Sequence, residues 1–144
     1  MTPMRAHVLV VDDVADMADS TVELLALWGF GAVACYGGEE ALACARDRPP
    51  ATVLLDVLMP RMDGLQFARA FRALKGCGGV PVVALSGSAP PAGARAAGID
   101  HFLLKPVLPN RLRALLVALT RRAARPRLPA RERRPDPWTE LASA

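Results

Sequence analysis

The chain has 144 residues, is 52% apolar and 22% charged, and carries a net charge of +4. That length holds one domain with its own core and excludes two ordinary ones; the composition is globular, and no apolar run reaches the roughly 18 residues of a membrane span. The positive excess sits in residues 121–144, where seven Arg face Glu132, Asp136 and Glu140, so the pI of about 9.5 describes the tail and not the domain.

The N-terminus leads directly into a strand pattern, so no signal peptide is expected. His7–Val11 is the first strand and ends in Asp12-Asp13. Asp16 follows where a helix start favours an acid. Met17, Thr21, Leu24, Leu25 and Trp28 then form one helical stripe, stopped by Gly29. Ala32–Tyr36 is a second, weaker strand, broken by Gly37-Gly38. Glu39–Asp47 is a short Ala-rich helix ended by Pro49-Pro50. Ala51–Leu55 is a short, continuously apolar run, as in a parallel strand buried on both faces, and Asp56 stands at its C-terminal end.

Leu65–Lys75 returns to helical period, with Phe67, Phe71 and Leu74 inward and Arg69, Arg72 and Lys75 outward. Val80–Leu85 is another buried strand, ending in Ser86-Gly87. Only a short helix fits the following stretch, because Pro90, Pro91 and Gly93 occupy its first half. Phe102–Leu104 is the last strand, terminated by Lys105-Pro106. Pro109 and Asn110 open a final helix with Leu112, Leu115, Leu116 and Leu119 on one face. The expected division is a domain over 1–122 and a basic, Pro/Arg-rich disordered tail over 123–144.

Strands alternating with helices give an α/β fold: a five-stranded parallel sheet, doubly wound, with right-handed crossovers and order 2-1-3-4-5. Ligands of such sheets bind beyond the carboxyl ends of the strands. Asp12, Asp13, Asp56, Ser86 and Lys105 all fall at those ends. An isolated Asp at a strand end is ordinarily a loop cap. Four polar signals meeting at one edge outweigh that reading.

Three carboxylates in one pocket repel each other and stay ionised at neutral pH when a cation sits among them. Hard oxygen ligands with room for water favour Mg²⁺. Asp13 and Asp56 are the direct ligands in this reading, Asp12 acts through water, and the backbone carbonyl of Leu58 completes the protein's share. Lys105 adds an ammonium and Ser86 a hydroxyl. A carboxylate so surrounded is built to receive a phosphoryl group. Lys105 stands out because the chain uses Arg 16 times and Lys twice. The histidines read as core or strand-edge residues. Cys35, Cys44 and Cys77 lack CxxC or metal-type spacing and read as small hydrophobes in a reducing compartment, which favours the cytoplasm.

V-V-D-D at 10–13, D-V-L-M-P-R-M-D-G at 56–64, A-L-S-G at 84–87 and L-K-P at 104–106 together resemble the receiver domain of two-component response regulators, over residues 7 to about 120. A chemotaxis member of that family is the usual illustration of the flavodoxin-like order 2-1-3-4-5, so the order rests on the resemblance as well as on the pattern. The resemblance implies that Asp56 is the phosphoacceptor, charged by a histidine kinase or histidine phosphotransfer protein. It makes Asp12 and Asp13 the acidic pair, Lys105 the motif lysine, Ser86 the switch hydroxyl and Phe102 the switch aromatic. It also implies a cis Lys105–Pro106 bond.

Two departures carry expectations. Val14 replaces a polar residue, and Ser86 to Lys105 is shorter than in the family by about three residues, most of a helical turn. The loss falls on the fourth helix, a wall of the usual dimer face, so the expected state is a monomer that signals to a separate protein target. Leu58, two residues past Asp56, offers no hydrogen bond to hold an attacking water, so slow self-dephosphorylation is expected. No output domain follows; the chain reads as a stand-alone, chemotaxis-regulator-like receiver or one cut from a longer protein.

The leading reading is a phosphorylatable switch and not a classical enzyme. A Mg²⁺-dependent aspartyl-phosphate phosphatase is disfavoured because Leu58 stands where a second Asp is needed. A nucleic-acid role for the tail is disfavoured by its lack of interleaved aromatics, Trp138 aside. A receiver-fold scaffold or a phosphate-relay module without its own output stays open beside the switch.

Overall fold

The computed structural model describes residues 7–57, 59 and 61–123. Strands β1 (His7–Val11), β2 (Gly31–Cys35), β3 (Thr52–Asp56), β4 (Val82–Ser86) and β5 (His101–Leu104) alternate with helices α1 (Ala15–Leu27), α2 (Gly38–Asp47), α3 (Gly64–Arg72), α4 (Ala94–Ala97) and α5 (Pro109–Ala123). All strand pairs are parallel, and the order is β2-β1-β3-β4-β5. Among the described residues no helix is long and apolar enough to cross a membrane.

Two cores follow from the pleat, because successive strand side chains leave on opposite faces. Leu9, Val11, Val53, Leu55, Val82 and Ala84 pack with Ala41, Phe67, Phe71 and Ile99. Val8, Val10, Leu54 and Val83 pack with Ala18, Leu25, Leu112, Leu116 and Leu119. The central strands are therefore apolar at nearly every position. Covering both faces leaves the carboxyl ends as the place where polar groups escape the core.

The α1 stripe differs from its expected position. Ala18 and Leu25 are the buried pair, with Val22 and Trp28 packed beside them, whereas Met17 is 52% exposed. Ala18, Val22 and Leu25 follow the same helical period rotated by one position, and the small Ala18 lets the helix approach the sheet closely. Strand β4 begins at Val82 rather than Val80, since Pro81 has no amide to donate; its carbonyl instead accepts from Val53 N–H.

Helix α3 ends at Arg72, three residues short of Lys75, and Arg72 does not face outward. Its guanidinium donates to the carbonyls of Cys77, Val80 and Gly98 and pairs with Asp100. Gly98 has φ +108°, and a Cβ there would lie 2.7 Å from Arg72 Cγ, so the residue is small for reasons of both conformation and space. The single-turn α4 is thus fastened to α3 through one arginine. His7 is buried at the start of β1, where desolvation and then the Arg48 charge lower its pKa.

Candidate functional site

Each element at the carboxyl edge delivers one group. β1 ends at Val11, and Asp12 extends its ladder by donating its N–H to Cys35 O at 3.0 Å. The Asp12 carboxylate accepts from Val14 N–H at 3.0 Å, turning the chain into α1. Asp13 follows it into the loop. Asp56 closes β3 in register with Leu85, and its side chain is only 12% exposed. One oxygen each from Asp12, Asp13 and Asp56 lies within 4.8 Å of the others. Three carboxylates at that spacing fit a hard divalent cation that keeps part of its water shell.

Lys105 reaches the same place from β5. Its N–H donates to Ser86 O at 2.7 Å, holding it beside the end of β4, and its Nζ is 3.8 Å from Asp56 Oδ1. The Lys105–Pro106 bond is cis, as the resemblance implied. Ser86 is 3% exposed at the last position of β4, and its hydroxyl accepts from Ser88 N–H at 3.3 Å. Phe102 sits on β5 opposite Ala84, half-buried against the core. Leu58, whose carbonyl was expected beside the cation, lies outside the described residues, as does the tail from 124.

Burial pushes the Asp12 carboxyl up, opposed by the Val14 amide; Asp56 and Asp13 add repulsion that Lys105 offsets in part. A group held in this way gains from a cation among the three acids. The loop that follows Asp56 is shaped by Gly64, whose N–H donates to Val57 O at 3.0 Å, and by a capping box between Asp63 and Gln66. That D-x-x-Q spacing is a helix-start signal present in the sequence itself. A groove of about 310 Å³ opens beside Asp13, lined among others by Tyr36, Glu39, Arg61 and Met62. Its walls come from the β2–α2 and β3–α3 loops, so no local sequence signal reveals it.

The description of the response regulator receiver domain fits residues 8–117. The chain belongs to that family. It is 34% identical over 125 residues to the DNA-binding response regulator MtrA of Mycobacterium tuberculosis, covering 85% of this receiver chain and 54% of MtrA. It is 38% identical over 120 residues to the transcriptional regulatory protein PrrA of the same organism, covering 81% of this chain and 50% of PrrA. The receiver chain thus spans about half the length of these relatives. Among solved structures, chemotaxis protein CheY4 of Vibrio cholerae superposes with a TM-score of 0.75 at 29% identity, covering 80% of this chain and 98% of that one. The receiver domain of NtrX from Brucella abortus superposes with a TM-score of 0.67 at 33% identity, covering 81% and 96%. As a receiver domain of two-component response regulators, the chain is a signalling domain.

Proposed function

We propose that Asp56 accepts a phosphoryl group from a phosphohistidine on a histidine kinase or histidine phosphotransfer protein, and that the charge thereby gained switches a protein-binding face. The observation that carries this is the Asp56 carboxylate held among two further carboxylates within 4.8 Å and the Lys105 ammonium at 3.8 Å. An Asp56 oxygen attacks phosphorus in line, the phosphorus–nitrogen bond breaks, and the histidine nitrogen leaves with its electron pair. Lys105 and the Ser86 hydroxyl meet the phosphoryl oxygens. Asp13 and Asp56 would hold Mg²⁺ directly, Asp12 through water, with the Leu58 carbonyl as a further ligand; the ion supplies charge neutralisation on the transferring group.

After transfer, Ser86 is drawn toward the phosphoryl group and Phe102 turns inward, biasing a two-state equilibrium on the face around β5 and α5. Water later hydrolyses the aspartyl phosphate, slowly because Leu58 lacks a polar side chain. We place the protein in the cytoplasm as a monomer, with a separate protein as target. MtrA and PrrA are named as DNA-binding and transcriptional regulators. For residues 8–117 the output faces a protein, as the absence of a positive excess there (ten basic against eleven acidic side chains) supports. The deciding experiment is incubation with acetyl phosphate and Mg²⁺, read by intact mass. One phosphoryl group is expected on the wild type and none on Asp56→Asn or in EDTA. Labelling that survives either change overturns the assignment.

Asp12 gives an independent check on the cation. A carboxyl whose pKa rises on folding binds its proton more tightly in the native state, so stability without metal increases as pH falls through the window just above the ordinary carboxylate range. It levels off below the unfolded value. Asp12→Asn keeps an acceptor for Val14 N–H and removes the repulsion. Without metal at neutral pH it should melt higher by about 2 °C, a small shift because the group stays in contact with water. Mg²⁺ should then raise the melting temperature of the wild type more than that of the variant. Equal Mg²⁺ responses would remove Asp12 from the cation site.

A further inference from the structure

Two thiols that the site does not use lie in contact across the β2–α2 connection. Cys35 ends β2, fully buried, and Cys44 stands on α2, half-buried; their Sγ atoms are 3.6 Å apart. The third thiol, Cys77, is buried in the loop after α3 and takes no part in this contact. We propose that Cys35 and Cys44 are an oxidation site, forming a reversible intramolecular disulfide when the protein meets a peroxide. The two residues are nine apart in sequence on a strand end and a helix that pack against each other. Sulfur atoms in contact need side-chain rotation of roughly 1.5 Å to reach a bond of about 2.05 Å.

The two thiols divide the chemistry by exposure. Cys44 is the one that solvent reaches, so its sulfur attacks the peroxide oxygen; the oxygen–oxygen bond breaks, leaving a sulfenic acid and one water. Cys35 is in a dry environment, where burial, then its contact with Cys44 and the Glu40 charge, push its thiol up to about 12. Solution oxidants do not reach it, and its contact with Cys44 makes it the resolving group, giving up its proton to the departing oxygen as it attacks. Its sulfur attacks the Cys44 sulfur, the sulfur–oxygen bond breaks, and hydroxide departs with the Cys35 proton as a second water. Overall the two thiols lose two electrons and two protons to one peroxide. A dithiol reductant reverses the bond by exchange. The covalent ring encloses Tyr36–Gly38, the loop that forms one wall of the groove beside Asp13.

The test uses the folded full chain with a small excess of hydrogen peroxide, quenched by catalase, denatured, alkylated with N-ethylmaleimide and weighed intact. The number of alkylated thiols should fall from three to one, with a peptide cross-link between residues 35 and 44 and full recovery in dithiothreitol. Cys77→Ser should oxidise like the wild type and then take no alkylation. Cys44→Ser, the milder of the two pair variants because the site is half-exposed, should keep both remaining thiols reactive. A cross-link that includes Cys77, a bond between two copies, or sulfinic acid on Cys44 with Cys35 still reduced overturns the proposal. The cross-link mapped in the wild type stands even where a variant fails to fold.

Discussion

Replacing Arg72 with Ala should lower the melting temperature by about 12 °C. The guanidinium donates to the carbonyls of Cys77, Val80 and Gly98 from the end of α3 and pairs with Asp100, so one side chain closes the loop before β4 and the turn after α4. Charged donors to carbonyls contribute roughly 1.5–3 kcal/mol each. The Arg72 side chain is 19% exposed, so water takes up part of what is lost, and about 3 kcal/mol in total is a fair expectation. At about 4 °C per kcal/mol for a domain of this size, the shift follows. Arg72→Lys should recover less than half of it, because an ammonium cannot span carbonyls from both segments. Asp100→Asn should have the smaller effect, since its retained oxygen still accepts from Val82 N–H. A shift below about 4 °C for Arg72→Ala on thermal denaturation would show that the carbonyls find other partners.

A single methyl group at Gly64 should damage both stability and phosphoryl acceptance. A Cβ at this position would lie 2.8 Å from Val57 Cα and 3.3 Å from Val57 O. Those are backbone atoms with no rotamer to move aside, so the loop must shift, and Val57 is the residue after Asp56. Overpacking of this kind costs about 1–3 kcal/mol. Misplacement of the acceptor carboxylate should slow labelling by acetyl phosphate about tenfold, well inside the range that small displacements of a reacting group produce. Gly78→Ala is the matched control, because its Cβ would meet nothing closer than 3.8 Å. Unchanged labelling in a folded Gly64→Ala variant would mean that the loop yields without moving Asp56.

The parts of this architecture that were legible in the sequence are those fixed by burial on two faces. Past His7 and Thr52 at their starts, β1, β3 and β4 are short apolar runs with nothing polar until their last residue or the one after it. Asp12, Asp13, Asp56, Ser86 and Lys105 therefore announced themselves as strand-end groups, and the structure gathers the three Asp with Lys105 at one edge. Helix α1 was harder. Met17 outweighs Ala18 on any hydrophobic pattern, yet the helix–sheet contact selects the smaller residue, and only packing distance decides that. Arg72 has the period of an outward residue; its inward turn depends on carbonyls at Cys77 and Val80 and on that of Gly98, 26 residues away. Cys35 and Cys44 meet because a strand reverses into a helix through Gly37 and Gly38, a geometry with no spacing motif. The groove beside Asp13 has the same origin, two loops from distant parts of the chain.

The contact between Lys105 and Asp56 has a practical consequence for spectroscopy. The chain contains two lysines, Lys75 and Lys105. Lys75 lies past the far end of α3, a nine-residue helix about 13 Å long that starts at the Asp56 loop. Reductive methylation with carbon-13 formaldehyde would leave two lysine signals and that of the terminal amine in a methyl spectrum. One resonance would report directly on the charge beside it as Asp56 is modified, and the other would act as an internal reference in the same tube.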